Sequence, residues 1–356
     1  MRQYICVGTY TEPILFGTGE VFKGKGEGIY ICTFEEGTIY VKEKLSLRNP
    51  SFFCIDERRR RIYTVNEMKE YNGEFGGGVS EVTYDAEGMM KFESSFCTGG
   101  TDPCHIDMHP DGRFIAIANF ANGSVSNFRL TEDGSLSSDR KVFTHQGSSV
   151  HPIRQKGPHA HSVIFTDDGK MLVPDLGTDE LVAYRCDADG ISEDTENTIK
   201  LAKGSGPRFG EFSPDGKHFY LINEIGSSVT HFVREKDRLE EKETVSTLPE
   251  DCSVDNICSD LHITSDGKYL YASNRGHDSI AHFSLDEGRL HFVERVPCGG
   301  KTPRNFCIDP EDKYLLVGNQ DSDTIVTFAI QQHGKLKVVS ETAFPTPVCI
   351  KFFKQF

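Results

Sequence analysis

The chain has 356 residues, with 39 Lys+Arg against 54 Asp+Glu and a formal net charge of −15. A field of that sign repels nucleic acid and anionic lipid surfaces, so neither is expected as a partner, and any anionic ligand must meet a local cluster of arginines. No window approaches the roughly 18 apolar residues of a membrane helix, and Met1-Arg2-Gln3-Tyr4 runs straight into a strand-like segment without a leader pattern; a soluble, untargeted protein is expected.

In chain order, Tyr4-Ile5-Cys6-Val7-Gly8-Thr9 and Ile29-Tyr30-Ile31-Cys32-Thr33-Phe34 read as the second and third strands of a unit that lacks its first. One phrase then recurs: Pro, a variable residue, an apolar run, Asp-Gly, a second apolar run with aromatics, Asn, and a third alternating run. Its copies run from Asn49-Pro50 to Asn66-Glu67, from Asp102-Pro103 through Asp111-Gly112 to Asn119, and from Gly157-Pro158 through Asp168-Gly169 to Gly177. Three more run from Gly206-Pro207 through Asp215-Gly216 to Asn223-Glu224, from Ser259-Asp260 through Asp266-Gly267 to Asn274-Arg275, and from Thr302-Pro303 through Glu311-Asp312 to Asn319-Gln320. Each copy reads as a strand, a tight hairpin, a second strand and a third, because the flanking runs alternate and are rich in Val, Ile, Phe and Tyr.

Thr346-Pro347-Val348-Cys349-Ile350 resembles a first strand with nothing after it, and supplies what the N-terminal pair lacks. Joined, the ends make a seventh unit, at an average of about 51 residues each. The expected fold is an all-β seven-bladed β-propeller, a single domain over residues 1–356, whose C-terminal strand closes the N-terminal blade and removes an open sheet edge. No segment carries a capped helical period; the charged stretch Glu235 to Glu250 reads as a loop or short helix. Gly24 to Gly28 and Glu74 to Gly78 read as blade turns rather than phosphate loops, and Glu57 to Ile62 as a solvated turn.

The eleven cysteines are scattered, with no C-x-x-C pair, against a zinc ribbon or disulfide scaffold and in favour of reduced thiols in a cytoplasm. Four histidines fall between His145 and His161 without a zinc pattern, so no metal or other cofactor is expected, and this long loop reads as a lid or wall of a pocket.

In a propeller blade the start of the first strand and the end of the second open on one mouth. Seven residues before the hairpin Asp, or its equivalent, stand Ser51, Cys104, His161, Arg208, Ser259 and Arg304; just past the second strands stand Glu67, Phe120, Gly177, Glu224, Arg275 and Gln320. The ionisable members fall in consecutive units: His161, then Arg208 and Glu224, then Arg275, then Arg304. Arginine forks suit phosphate, carboxylate or a developing oxyanion, and His or Glu suits activation of water. On spacing alone, Arg208 and Glu224 read equally as a structural ion pair and His161 as a satisfied strand residue.

Gly8-Thr9-Tyr10-Thr11, Asn49-Pro50-Ser51, Gly157-Pro158-His159-Ala160-His161-Ser162, Gly206-Pro207-Arg208, Asn223-Glu224, Ser259-Asp260-Leu261-His262-Ile263-Thr264 and Ser273-Asn274-Arg275, in that order and spacing, resemble the seven-bladed lactonase family. That family includes propeller-type 6-phosphogluconolactonases and fungal carboxy-muconate lactonizing enzymes. The resemblance implies metal-independent hydrolysis of a small anionic sugar lactone, with 6-phospho-D-glucono-1,5-lactone of the pentose phosphate route as the leading substrate. It carries catalytic roles onto His159 or His161, Glu224, Arg208 and Arg275, with the histidine or Glu224 as the base; beside the catalytic set of His161, Glu224, Arg208 and Arg275, the expected substrate contacts are His159, Arg154, Arg304, Asn274 and Glu67. Register favours His161 over His159, and Phe209-Gly210 follows Arg208 where many relatives carry a histidine. The alternatives are another sugar or muconate-type lactone, a lactonizing isomerase, and a non-catalytic propeller scaffold. A monomer or weak homodimer is expected.

Overall fold

Asp-Gly hairpins form where the repeats place them. Gly112, Gly216 and Gly267 adopt φ of 70°, 69° and 70°, which glycine reaches without strain. The preceding aspartates accept the backbone N–H two residues on, from Arg113, Lys217 and Lys268 at 3.0, 3.1 and 3.0 Å. In the last copy Asp312 itself takes the left-handed conformation.

The computed structural model describes residues 3–354 apart from 16–18, 20, 188–189 and 237. Met1 and Arg2, at the head of the predicted N-terminal strand, and Asp237, inside the charged segment, lie outside the described residues. Seven antiparallel sheets carry the repeats, each with four strands paired in sequence and one with a short fifth. The sheet made from the chain ends has the order Pro347–Phe353, Gln3–Thr9, Ile29–Glu35, Thr38–Leu45, as the half-units at the termini predict.

The chain forms two compact units. One comprises residues 1–7, 32–40 and 207–352, and contains three complete sheets, beginning at Pro207–Phe212, Ile257–Ile263 and Pro303–Ile308. The other comprises residues 8–31, 41–206 and 353–356, with sheets beginning at Phe53–Asp56, Pro103–Met108 and Ile164–Phe165. Within each unit, apolar faces of successive sheets close on one another. Tyr220, Ile222 and Val229 pack with Leu261 and Leu270 in the first unit, and Phe114, Ala116 and Val125 with Val163 and Met171 in the second. At about 25 cal/mol per Å² of buried apolar surface, these layers are the main stabilising contribution.

Tyrosines on three second strands tie their sheet to the next: Tyr220 and Tyr271 donate to the carbonyls of Gly288 and Gly334 at 2.7 and 2.6 Å, and Tyr63 to that of Gly134. Gly288 has φ of 80°, and a Cβ there would collide with the His218 ring.

Two expectations are corrected. The charged segment is neither loop nor helix: Arg238–Ser246 is the outermost strand of its sheet, paired to Ser228–Glu235. Every sheet likewise has a fourth strand beyond the three read from the repeats, such as Leu136–Thr144 and Leu336–Ala343. These strands face water on most sides, so their residues lack the apolar alternation that marks the inner three.

Candidate active site

Four of the six residues aligned by counting back from the hairpins prove to be bulge residues. Pro207 pairs with Asn223 and Phe209 with Ile222, leaving Arg208 unopposed. Cys104 and Arg304 occupy the same place in their sheets. In the Ile257–Ile263 strand two residues, Ser259 and Asp260, face the single Ser273 between the Cys258–Asn274 and Leu261–Ala272 pairs. A bulge breaks the alternation of the strand and re-aims the side chain it carries. His161 and Ser51 instead precede the short first strands Ile164–Phe165 and Phe53–Asp56. The His161 N–H still donates to the Pro174 carbonyl at 3.0 Å.

In the first unit the bulges bring Arg208, Glu224 and Arg275 together. Arg208 Nε and Arg275 Nη2 each lie 2.8 Å from Oε2 of Glu224. Arg275 Nη2 also donates to the Cys258 carbonyl at 3.0 Å, and Arg208 Nη1 to the Ser259 carbonyl. Glu224 and Arg208 are only 2% and 7% exposed, which strengthens each charge contact relative to one in water. Two guanidinium groups on one carboxylate leave one net positive charge, the local cluster that the chain's overall charge demands. The backbone carbonyl of Arg304 accepts the Ser259 hydroxyl, and its side chain is half-buried. Asn274 is fully buried: its Oδ1 accepts Thr247 Oγ1 at 2.7 Å and Asn256 Nδ2 at 3.2 Å, bracing the strand end that carries Arg275.

In the second unit, His161 is buried with its Nδ1 3.8 Å from the Cys104 thiol, and the edge of its ring meets Phe120. His159 stacks on Phe120, with ring centroids 4.6 Å apart, and donates from Nδ1 to the Phe120 carbonyl at 2.8 Å. The Arg154 guanidinium lies 6.0 Å from the Phe120 ring centroid. Glu67 accepts the Tyr10 hydroxyl at 2.8 Å.

The histidine-rich loop is pinned at its ends and in its middle. Asp175 holds both of its ends, with Oδ2 at 2.6 Å from His145 Nδ1 and Oδ1 accepting the His159 N–H at 2.8 Å. Asp179 holds its middle, accepting Ser149 Oγ at 2.5 Å and Gln155 Nε2 at 2.7 Å. Among the described residues, no group of three or more His, Cys, Asp or Glu is placed to hold a metal ion.

The family model "Lactonase, 7-bladed beta-propeller" matches residues 4–352. The chain belongs to that lactonase family. It is therefore an all-β seven-bladed propeller, in agreement with the seven sheets. Among family relatives, the 6-phosphogluconolactonase of Bacillus subtilis (strain 168) is 33% identical, with all of both chains covered. A putative 6-phosphogluconolactonase from Bacteroides fragilis NCTC 9343 superposes with a TM-score of 0.90 at 34% identity, covering 99% of this chain and 98% of that one. The periplasmic gluconolactonase of Pseudomonas aeruginosa does so with a TM-score of 0.90 at 31% identity, covering 99% of each chain.

Within this lactonase framework, sequence reasoning missed the residues that hold the site side chains: Tyr10 on Glu67, Cys104 beside His161, Asp175 and Asp179 on the loop. Cys104 stood in the aligned set and so carried a signal. The two aspartates carried none, because their partners lie in a loop without periodicity.

Proposed function

We propose that the chain hydrolyses the ring ester of 6-phospho-D-glucono-1,5-lactone to 6-phosphogluconate. The observation that carries this reading is the buried Arg208–Glu224–Arg275 group, a net positive centre in a protein of charge −15. The full-length similarity to the Bacillus subtilis 6-phosphogluconolactonase supports the choice of lactone.

In this reaction water adds to the lactone carbonyl, the oxygen takes up negative charge, and the ring C–O bond breaks to give a carboxylate and a hydroxyl. Arg208 and Arg275 stabilise the oxyanion and grip the phosphate, with Arg304 as a further anion contact. Glu224 holds the two guanidinium groups together; protonating it would weaken both ion pairs. The other base candidate implied by the family resemblance is His161, and Asn274 acts through Arg275. A general base contributes about 10²–10⁴-fold and one oxyanion donor about 3 kcal/mol. Those terms suffice for a lactone that already hydrolyses unaided.

None of these steps uses a metal. None of the eleven cysteines forms a disulfide, which supports a reducing cytoplasm, where the pentose phosphate route runs; among the described residues no helix is long and apolar enough to cross a membrane. The chain is proposed to act as a monomer or weak homodimer. The test is a time course of freshly generated 6-phosphoglucono-1,5-lactone with chelator-treated enzyme and with buffer alone. Acceleration that survives the chelator is expected; a time course identical to buffer would overturn the assignment.

A further inference from the structure

Both arginines of the proposed site dock on the same bulge. The Cys258 carbonyl accepts Arg275, the Ser259 carbonyl accepts Arg208, and the Cys258 N–H donates to the Glu224 carbonyl at 3.1 Å. The bulged residues leave the regular ladder; the Ser259 hydroxyl is tied to the Arg304 carbonyl and the Asp260 N–H to Ser273 Oγ at 3.0 Å, so the carbonyl directions depend on these ties together with what holds the Asp260 side chain.

Asp260 is 4% exposed, and its Oδ2 gathers three donors: Asn305 Nδ2 at 2.6 Å, the Phe306 N–H at 3.2 Å and His262 Nε2 at 3.3 Å. His262 Nδ1 in turn donates to Glu211 Oε2 at 2.8 Å, and Asn305 Oδ1 accepts the Ile350 N–H at 2.7 Å. The result is a polar belt, Glu211–His262–Asp260–Asn305–Ile350, across the first strands Pro207–Phe212, Ile257–Ile263, Pro303–Ile308 and Pro347–Phe353. Glu211 lies three residues after Arg208, and Asn305 directly follows Arg304. The belt therefore sets the spacing of the strands from which Arg208 and Arg304 project, and of the bulged strand whose carbonyls receive Arg208 and Arg275. Burial disfavours the charged imidazole, but Asp260 and Glu211 outweigh it and push His262 up to about 10, so the belt is ionically locked at neutral pH.

We propose that Asp260 and His262 are positioning residues for Arg208 and Arg275: they hold the Ser259–Asp260 bulge in the one conformation whose carbonyls orient both guanidinium groups. This rests on the lactonase reading only for its effect on turnover. Misplacing a reacting group by a fraction of an ångström to an ångström costs between about tenfold and a hundredfold in rate.

The test uses Asp260→Asn, which keeps the shape of the side chain, and His262→Gln, which keeps one donor, in the full chain. The ¹H–¹⁵N resonances of the Arg208 and Arg275 Nε–H groups are assigned with Arg→Lys variants. They are followed alongside kcat and KM for the phosphorylated lactone, and folding is checked by circular dichroism. In each folded variant both arginine resonances are expected to move, with kcat/KM lower by tenfold or more. A purely structural role would lower the melting temperature and leave the resonances in place, and unmoved resonances in either folded variant would overturn the proposal. If the native enzyme shows no turnover, the lactonase reading fails, while the arginine resonances still decide whether the belt positions them.

Discussion

Replacing Arg208 with Ala perturbs the proposed centre at its most connected point. The substitution removes the 2.8 Å ion pair with Glu224 and the donor to the Ser259 carbonyl, and leaves Arg275 as the cation recorded against the carboxylate. Breaking a buried ion pair outright costs about 3–5 kcal/mol. Because Glu224 keeps Arg275 at 2.8 Å, the expected loss of stability is smaller, about 1–3 kcal/mol, and the protein stays folded with a melting temperature a few degrees lower. Loss of one preorganised oxyanion donor costs about 10²–10³ in kcat. The assay follows acid release from freshly made phosphorylated lactone, with the uncatalysed rate subtracted. Arg208→Lys keeps the charge without the planar fork, and is expected to recover less than a tenth of native kcat/KM. Turnover by folded Arg208→Ala within twofold of native would refute the reasoning.

Other expectations follow from the same structure. His231 and His282 are buried against Tyr220 and Tyr271, and burial lowers each to about 4. The unfolded chain binds protons at these positions near 6.5 and the native one does not. Stability is therefore expected to fall as pH drops from 6.5 towards 4, by up to about 2 kcal/mol per histidine at pH 5, and a His231→Phe/His282→Phe variant should flatten the decline in urea titrations. His262, raised to about 10, contributes in the opposite sense: its stabilisation is fully present below 6.5 and is lost as pH rises through 10, a loss that His262→Gln should abolish. None of the eleven cysteines forms a disulfide and only Cys186 and Cys252 are not buried, so a thiol reagent should label at most two quickly in native protein and eleven after denaturation. Removing residues 347–356 strips the inner strand from the sheet that joins the chain ends and exposes Gln3–Thr9 as an edge. The truncated chain should aggregate, and the full chain, if it is one domain over residues 1–356, should unfold in a single transition.

The seven units, their first three strands and the pairing of the two termini were legible because each inner strand is buried and alternates. The outer strands were not: Arg238–Ser246 and its equivalents meet water along most of their length, and charge there carries no period. Counting seven residues back from each hairpin found Arg208, Cys104 and Arg304 because a recurring bulge fixes that offset, although the bulge itself leaves no mark in the residue pattern. The grouping of Arg208 with Glu224 and Arg275 followed from that register. The belt through Asp260 and His262 did not, since it depends on which side chains from neighbouring sheets meet, a matter of three-dimensional packing that no spacing along the chain encodes.

The most direct measurement is the ratio of kcat/KM for 6-phosphoglucono-1,5-lactone to that for unphosphorylated glucono-1,5-lactone, in native enzyme and in Arg275→Ala. A ratio well above one that falls towards one in the variant is predicted, because the arginine cluster is assigned both the oxyanion and the phosphate. Equal rates on the two lactones, unchanged by the substitution, would contradict an arginine-held anionic substrate.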